Sequence, residues 1–333
     1  MRRLSRRALV ATLPVLAGVM PAHGQGPGAV PYPAAPITLV VPFSAGGAAD
    51  IAARLLVLHV QRHLPNPRAT LLVKNRTGAS GAVGTQFVAK AKPDGQTLLL
   101  ARVASSAILP ATDPRTPYTW DEFSMLGLLE ETPFVLCVRA DSPWETLRDL
   151  ITALREQPGR IPFATTGPAT LLDLGVRHLF STAGLPIDAG FAVPFRGGGD
   201  AVAGLLDGRV QFLGTNLSDA LPALRDGRMR GLVIGTNERL RILPAIATAR
   251  EAEVPGLTGV TGWSALFGPP ALEDEAQRSW VTALAALRDD QSWQDGVRGA
   301  GGIPRLLTPE ETRAYLRGQV AFYRDLGRRL GLI

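Results

Sequence analysis

Residues 37–101 repeat one unit: a short run of consecutive apolar residues, a loop carrying glycine, then a stretch with helical apolar spacing. Ile37 to Val41 is the first such run. The turn PFSAGGAAD follows, and Ile51, Leu55 and Leu58 then recur at helical intervals up to Leu64. The unit returns as Leu71 to Lys74, the loop NRTGASG and a helix near Ala82 to Ala91, before a third apolar run at Thr97 to Ala101. Strands that are apolar without alternation need cover on both faces. Alternating them with helices supplies that cover and predicts a parallel α/β sheet.

A second α/β block is expected after strands at Met125 to Leu129 and Phe134 to Val138. It comprises a helix from Thr146 to Glu156, a strand at Pro162 to Ala164, the loop TTGPAT and a helix from Leu171 to Ala183. Strands at Ala192 to Phe195, Val210 to Leu213 and Leu232 to Ile234 follow, the first of them ending at a GGG turn. Beyond Pro255 come one more strand, Trp263 to Phe267, and three helices near Asp274 to Leu287, Ser292 to Gly299 and Pro309 to Leu330. Those late helices need a sheet to cover, and the first block is the nearest. The expected fold class is therefore α/β with two lobes, each a mostly parallel sheet flanked by helices, and a ligand cleft between them. The expected boundaries are 36–133 with 257–333 for lobe one and 134–256 for lobe two, preceded by a flexible Gly/Pro/Ala tether at 25–35.

The first 24 residues read as an export signal. Ser5, Arg6, Arg7, Ala8, Leu9 and Val10 spell a twin-arginine motif ahead of an apolar stretch ending at Met20. Small residues at Ala22 and Gly24 then precede an expected cut at Gln25. The stretch falls short of the about 20 apolar residues of a membrane span. The periplasm is the expected destination. This reading also disposes of a nucleic-acid partner: of the formal net charge of +6, Arg2, Arg3, Arg6 and Arg7 belong to the signal, leaving +2 on the remainder. The single cysteine, Cys137, sits in the apolar run FVLCV and is read as a buried strand residue.

Two Gly-bearing strand-to-helix loops, 42–50 and 165–170, carry the chemistry. Each offers unpaired backbone N–H groups at a helix N-terminus, where a carboxylate is favoured. Neither has the Lys-Ser/Thr of a P-loop or the spacing of a dinucleotide loop, so no cofactor is expected. Plain tight turns are the competing reading for either loop alone. Thr165, Thr166 and Thr170 can donate hydroxyls to a ligand oxygen, although Thr170 can equally cap the following helix. Arg102 and Arg196 follow strand ends where a guanidinium can clamp a carboxylate, against the commoner fate of a structural or exposed arginine. Asp50 and Arg54, four apart, read as a routine helix ion pair. His59 and His63 share that four-residue spacing without the Glu of a zinc motif, and His178 reads as a helix-surface residue. Ser80, in Gly78-Ala79-Ser80-Gly81, lacks the last glycine of a nucleophile elbow and has only His178 after it as a partner in order.

The segments PITLVVPFSAGGAAD with Ala53-Arg54, VKNRTGASGAVGTQFVAKAKPDGQTLLL, VPFRGGGDAVAGLLDGRVQF, ALPALRDGRMRGLVIGT and EAEVPGLTGVTGWSALFGPP, in that order, resemble the Bug-type substrate-binding proteins of tripartite tricarboxylate transporters. The resemblance spans nearly the whole chain after the signal. It implies a type II-like two-lobed periplasmic binding protein, not an enzyme, that closes on a small carboxylate and presents it to a membrane permease of the same system. Such proteins act as monomers. The ligand-holding loops it implies are 43–47 and 165–170, and the full set of candidate binding positions is Phe43, Ser44, Ala45, Gly46, Gly47, Ala79, Ser80, Arg102, Thr165, Thr166, Gly167, Thr170, Phe195, Arg196 and Asn216. The chain departs from the family pattern at Asp173, where histidine is usual, at Phe195-Arg196 in place of Tyr-Lys, and at Arg102, where a small residue is common. An exported ligand sensor, or a small exported hydrolase using Ser80, are the rival readings.

Overall fold

The computed structural model describes residues 32–333. The expected export signal, its expected cleavage site and residues 25–31 of the expected tether lie outside the described residues. The remainder of that tether is pinned. Tyr32 Oη donates to the Gly95 carbonyl at 2.8 Å and accepts from Trp280 Nε1 at 2.9 Å, while Asn66 Nδ2 donates to the Pro33 carbonyl.

The first half of the chain runs β1 (Ile37–Val41), α1 (Ala48–Val60), β2 (Leu71–Asn75), α2 (Ala82–Ala89), β3 (Thr97–Arg102), the short α3 (Leu109–Thr112) and β4 (Ser124–Arg139). Next come α4 (Leu147–Glu156), β5 (Ile161–Thr165), α5 (Leu171–Thr182), β6 (Gly190–Pro194), α6 (Gly198–Leu206), β7 (Phe212–Asn216), α7 (Leu217–Arg225) and β8 (Met229–Ile234). The chain closes with β9 (Thr261–Gly268), α8 (Asp274–Arg288), α9 (Gln291–Gly299), β10 (Ile303–Pro304) and α10 (Pro309–Arg329).

The expected parallel pairs exist at both ends of the sheet, β2-β1-β3 and β7-β5-β6. Its middle is antiparallel, because β9 lies between β3 and β4 and runs against both. Strand β4 joins the halves. Its first part pairs with β9 from Ser124 opposite Gly268 to Pro133 opposite Thr261, and its second part pairs with β7 and β8. The two strands expected at 125–129 and 134–138 are thus one strand of 16 residues. The polar stretch Glu130-Glu131-Thr132-Pro133 that suggested a break continues the ladder instead.

Alternation along the strands builds two cores. Ile37, Leu39, Val41, Leu98 and Leu100 face one way and pack with Leu56 of α1, Trp280 and Leu284 of α8 and Trp293 of α9. Val40, Leu99 and Ala101 face the other way and meet Leu316, Val320 and Tyr323 of α10. The late helices therefore do return to the first block, covering both of its faces. The second core runs on through Phe134 to Val138 into Phe163, Phe180 and Phe212 of the second half, whose rings stack edge-on and face-on. Cys137 is fully buried there, and burial pushes its thiol up.

Helices α6 and α7 have no counterpart in the sequence reading. Gly198 and Gly199 open α6, although glycine weakens helices, and Pro222 sits inside α7. The glycines are needed for close approach: a Cβ on Gly197 would collide with the Ser44 side chain, and one on Gly198 with the Asp219 carboxylate.

Candidate functional site

The β1–α1 loop is organised from beneath by Asp50. Its carboxylate accepts from the Gly46 N–H at 3.0 Å, from Arg54 Nε at 2.8 Å and from Asn75 Nδ2 at 3.1 Å. Asn75 Nδ2 also donates to the Phe43 carbonyl. Burial alone would raise the Asp50 pKa, but the bonds from Arg54, Gly46 and Asn75 outweigh it and hold the carboxyl below its ordinary range. Gly46 takes φ of +79°, a conformation that favours glycine.

The β5–α5 loop is tied by its own hydroxyls. Thr165 Oγ1 donates to the Gly167 carbonyl at 2.9 Å and accepts from the Gly167 N–H at 3.2 Å. Thr170 is the residue before α5, yet its hydroxyl makes no capping bond and donates to the Gly167 carbonyl at 2.9 Å instead. The departure at Asp173 is absorbed locally. That side chain is buried and pairs with Arg177 Nε at 2.8 Å, burial raising its pKa against the pull of Arg177.

Both loops line one narrow cavity of about 50 Å³, whose walls include Phe43, Ser44, Thr166, Thr170, Arg102 and Asp219. Arg102, at the end of β3, is only 4% exposed. It donates to Ser264 Oγ at 2.6 Å and Asn216 Oδ1 at 3.4 Å, and stands 3.8 Å from Glu130 Oε1. Ser264 Oγ donates to that same Glu130 oxygen at 2.9 Å. Burial raises the Glu130 pKa, opposed by Arg102 and Ser264, and burial likewise lowers that of Arg102. Asp219 also lines the cavity, and its Oδ1 accepts from the Ala48 N–H, in the first turn of α1, at 2.7 Å. Its Oδ2 accepts from Thr215 Oγ1 at 2.9 Å and Asn216 Nδ2 at 3.2 Å. A buried polar chain thus runs from Glu130 through Ser264, Arg102, Asn216 and Asp219 to the start of α1.

Residues 53–295 match the family described as the tripartite tricarboxylate transporter family receptor. The chain belongs to this family. A protein from the tcbD–tcbE intergenic region of Pseudomonas sp. strain P51 is 32% identical over 83% of this chain and 82% of its own length. The protein BugT of Bordetella pertussis is 28% identical over 90% of each chain. Among solved structures, the periplasmic binding protein BugD superposes with a TM-score of 0.84 at 25% identity, covering 90% of this chain and 99% of its own. MatC of Rhodopseudomonas palustris, solved with malate, gives 0.82 at 26% identity, covering 89% and 99%. A second R. palustris protein, solved with adipate, gives 0.83 at 25% identity, covering 90% and 98%. The fold is that of two-lobed periplasmic binding proteins, and the chain is a solute-binding receptor of the Bug type rather than an enzyme.

In this receptor the cavity gathers seven of the expected positions: Phe43, Ser44, Gly47, Arg102, Thr166, Thr170 and Asn216. Ala45, Gly46, Thr165, Phe195 and Arg196 are outside its lining; Arg196 is exposed, and Phe195 packs on Gly204 with the Arg209 guanidinium over its ring. Ala79, Ser80 and Gly167 line a neighbouring surface groove. Ser80 donates to the Pro168 carbonyl at 3.2 Å, tying the two loops rather than meeting a base. His178 is buried against Gly256, not at the helix surface as expected. His59 and His63 both contact the Arg62 guanidinium. The sequence reading missed Asp219, Glu130 and Ser264. Asp219 had a visible signal, since an acid three residues after Asn216 fits the first turn of a helix.

Proposed function

We propose that this receptor captures a small carboxylate by closure of two lobes, 36–133 with 257–333 against 134–256, and delivers it to a membrane permease of the tripartite tricarboxylate type. The observation that carries the reading is the convergence of the β1–α1 and β5–α5 loops, with Arg102, on one cavity. Ligand pockets usually measure about 300–1,000 Å³. At about 50 Å³ the loops must part to admit a ligand and close again over it. Thr166, Thr170, the first amides of α5 and Arg102 are the donors for the ligand carboxylate. The malate and adipate held by structural relatives support this ligand class. Twin-arginine export of a monomer to the periplasm completes the proposal, and Lys at both Arg6 and Arg7 should retain the precursor inside the cell.

Calorimetry with a panel of mono-, di- and tricarboxylates tests the central claim. Saturable one-to-one binding of at least one acid is expected, with no turnover of generic esters. Ester turnover abolished by Ser80→Ala would instead restore the hydrolase reading.

A further inference from the structure

We propose that Asp219 selects the ligand: an acid that also carries an ammonium group, held with its carboxylate toward Thr166, Thr170 and Arg102 and its ammonium against Asp219. The inference rests on the reading of the cavity as a carboxylate site and narrows it.

Asp219 is 9% exposed and lines the cavity. Among the described residues, no Lys, Arg or His side chain pairs with it within 4 Å; its three partners, Ala48 N–H, Thr215 Oγ1 and Asn216 Nδ2, are all neutral donors. A carboxylate offers about four acceptor positions. One therefore remains for a ligand donor. Arg102 acts on this carboxylate only through charge at a distance, and a buried carboxylate with no cation in contact is costly; a ligand ammonium with its three donors relieves that cost.

The remaining charges point the same way. Arg102 is the one cation on the wall, and Glu130 lies behind it at 3.8 Å. With Glu130 ionised the group carries one net negative charge; with Glu130 protonated it is neutral. In neither state is there a surplus positive charge for the second carboxylate of an amine-free diacid. At the start of α1 the Ala48 N–H is already held by Asp219 and the Gly46 N–H of the loop before it by Asp50, so two of the donors there are spent. The competing role is that of a first-turn acid of α7 that only ties this helix to the start of α1.

Matched acids that differ by one amine separate these readings: succinate with aspartate, adipate with 2-aminoadipate, butyrate with 2-aminobutyrate. Calorimetry on the full chain lacking only its signal should show that, for whichever skeleton fits, the amine-bearing member binds tighter by roughly 10- to 100-fold. Asp219→Asn should shrink that preference to within about threefold, and Asp219→Glu, which keeps the charge, should retain part of it. Equal or tighter binding of the amine-free member by the unaltered protein overturns the proposal while sparing the carboxylate reading. So does Asp219→Asn weakening both members equally, as a purely structural role would. Failure of every acid, with or without amine, overturns the carboxylate reading and this proposal together. If Asp219→Asn does not fold, absence of the preference in the unaltered protein still overturns the proposal, and a reduced preference in Asp219→Glu ties it to this residue.

Discussion

At the residue scale, the glycines that matter are not those the loop motif alone singles out. Gly46 has φ of +79° with nothing within 4 Å of an added Cβ, and it does not line the cavity. Gly46→Val should therefore cost roughly 1–2 kcal/mol of stability through backbone strain and leave ligand affinity near that of the unaltered protein. Gly198→Ala should cost affinity as well as stability, because its Cβ would fall on the Asp219 carboxylate and push it off the Ala48 N–H. A loss of affinity in calorimetry larger than its loss in melting would confirm that ranking; equal affinity losses in both variants would contradict it. Glu130 gives a pH signature. Burial raises its folded pKa above the unfolded one, so the folded protein holds this proton more tightly. Its contribution is fully present below the ordinary carboxylate pKa and is lost as pH rises through the raised folded value. Glu130→Gln, which keeps an acceptor for Ser264, should flatten the fall in melting temperature across that window. An unchanged slope would show that another group sets it.

At the element scale, most helices were legible because their ends carry local signals. Thr308 and Glu311 form a reciprocal cap at the start of α10, and Thr146 with Asp149 does the same for α4. Thr308→Ala should lower stability by about 1 kcal/mol without altering affinity, since the cap touches only α10. Differential scanning calorimetry checks the first half of that statement, and a binding titration the second. The elements that escaped notice lack such signals or contradict them. Helix α6 begins with glycines, which local propensity disfavours, and α7 contains Pro222. Strand β4 looked like two strands because Glu130 to Pro133 is polar, and charge in mid-strand is costly unless paired. Its partner Arg102 is 28 positions earlier in the chain, and Ser264 lies 134 later than Glu130. No window along the sequence contains all three.

At the scale of the whole molecule, β4 and the return into β9 are the two crossings on which any closure must turn. A binding acid should compact the protein in small-angle scattering and stabilise it, by about 2.7 kcal/mol when its free concentration is 100 times Kd. A profile unchanged at saturation would argue for a rigid site. The sequence by itself determined the α/β class, the two glycine loops and the family, because apolar periodicity, turn residues and ordered motifs are local properties. Tertiary structure alone decided that β9 inserts antiparallel between β3 and β4, so that the sheet is mixed. It alone also decided which loop residues face the cavity, that His178 is buried, and that Asp219 lies on the start of α1. Those outcomes depend on which distant groups share a desolvated space. Burial, not spacing, sets the cost of leaving a charge or an N–H unpaired, and burial exists only once the chain is folded.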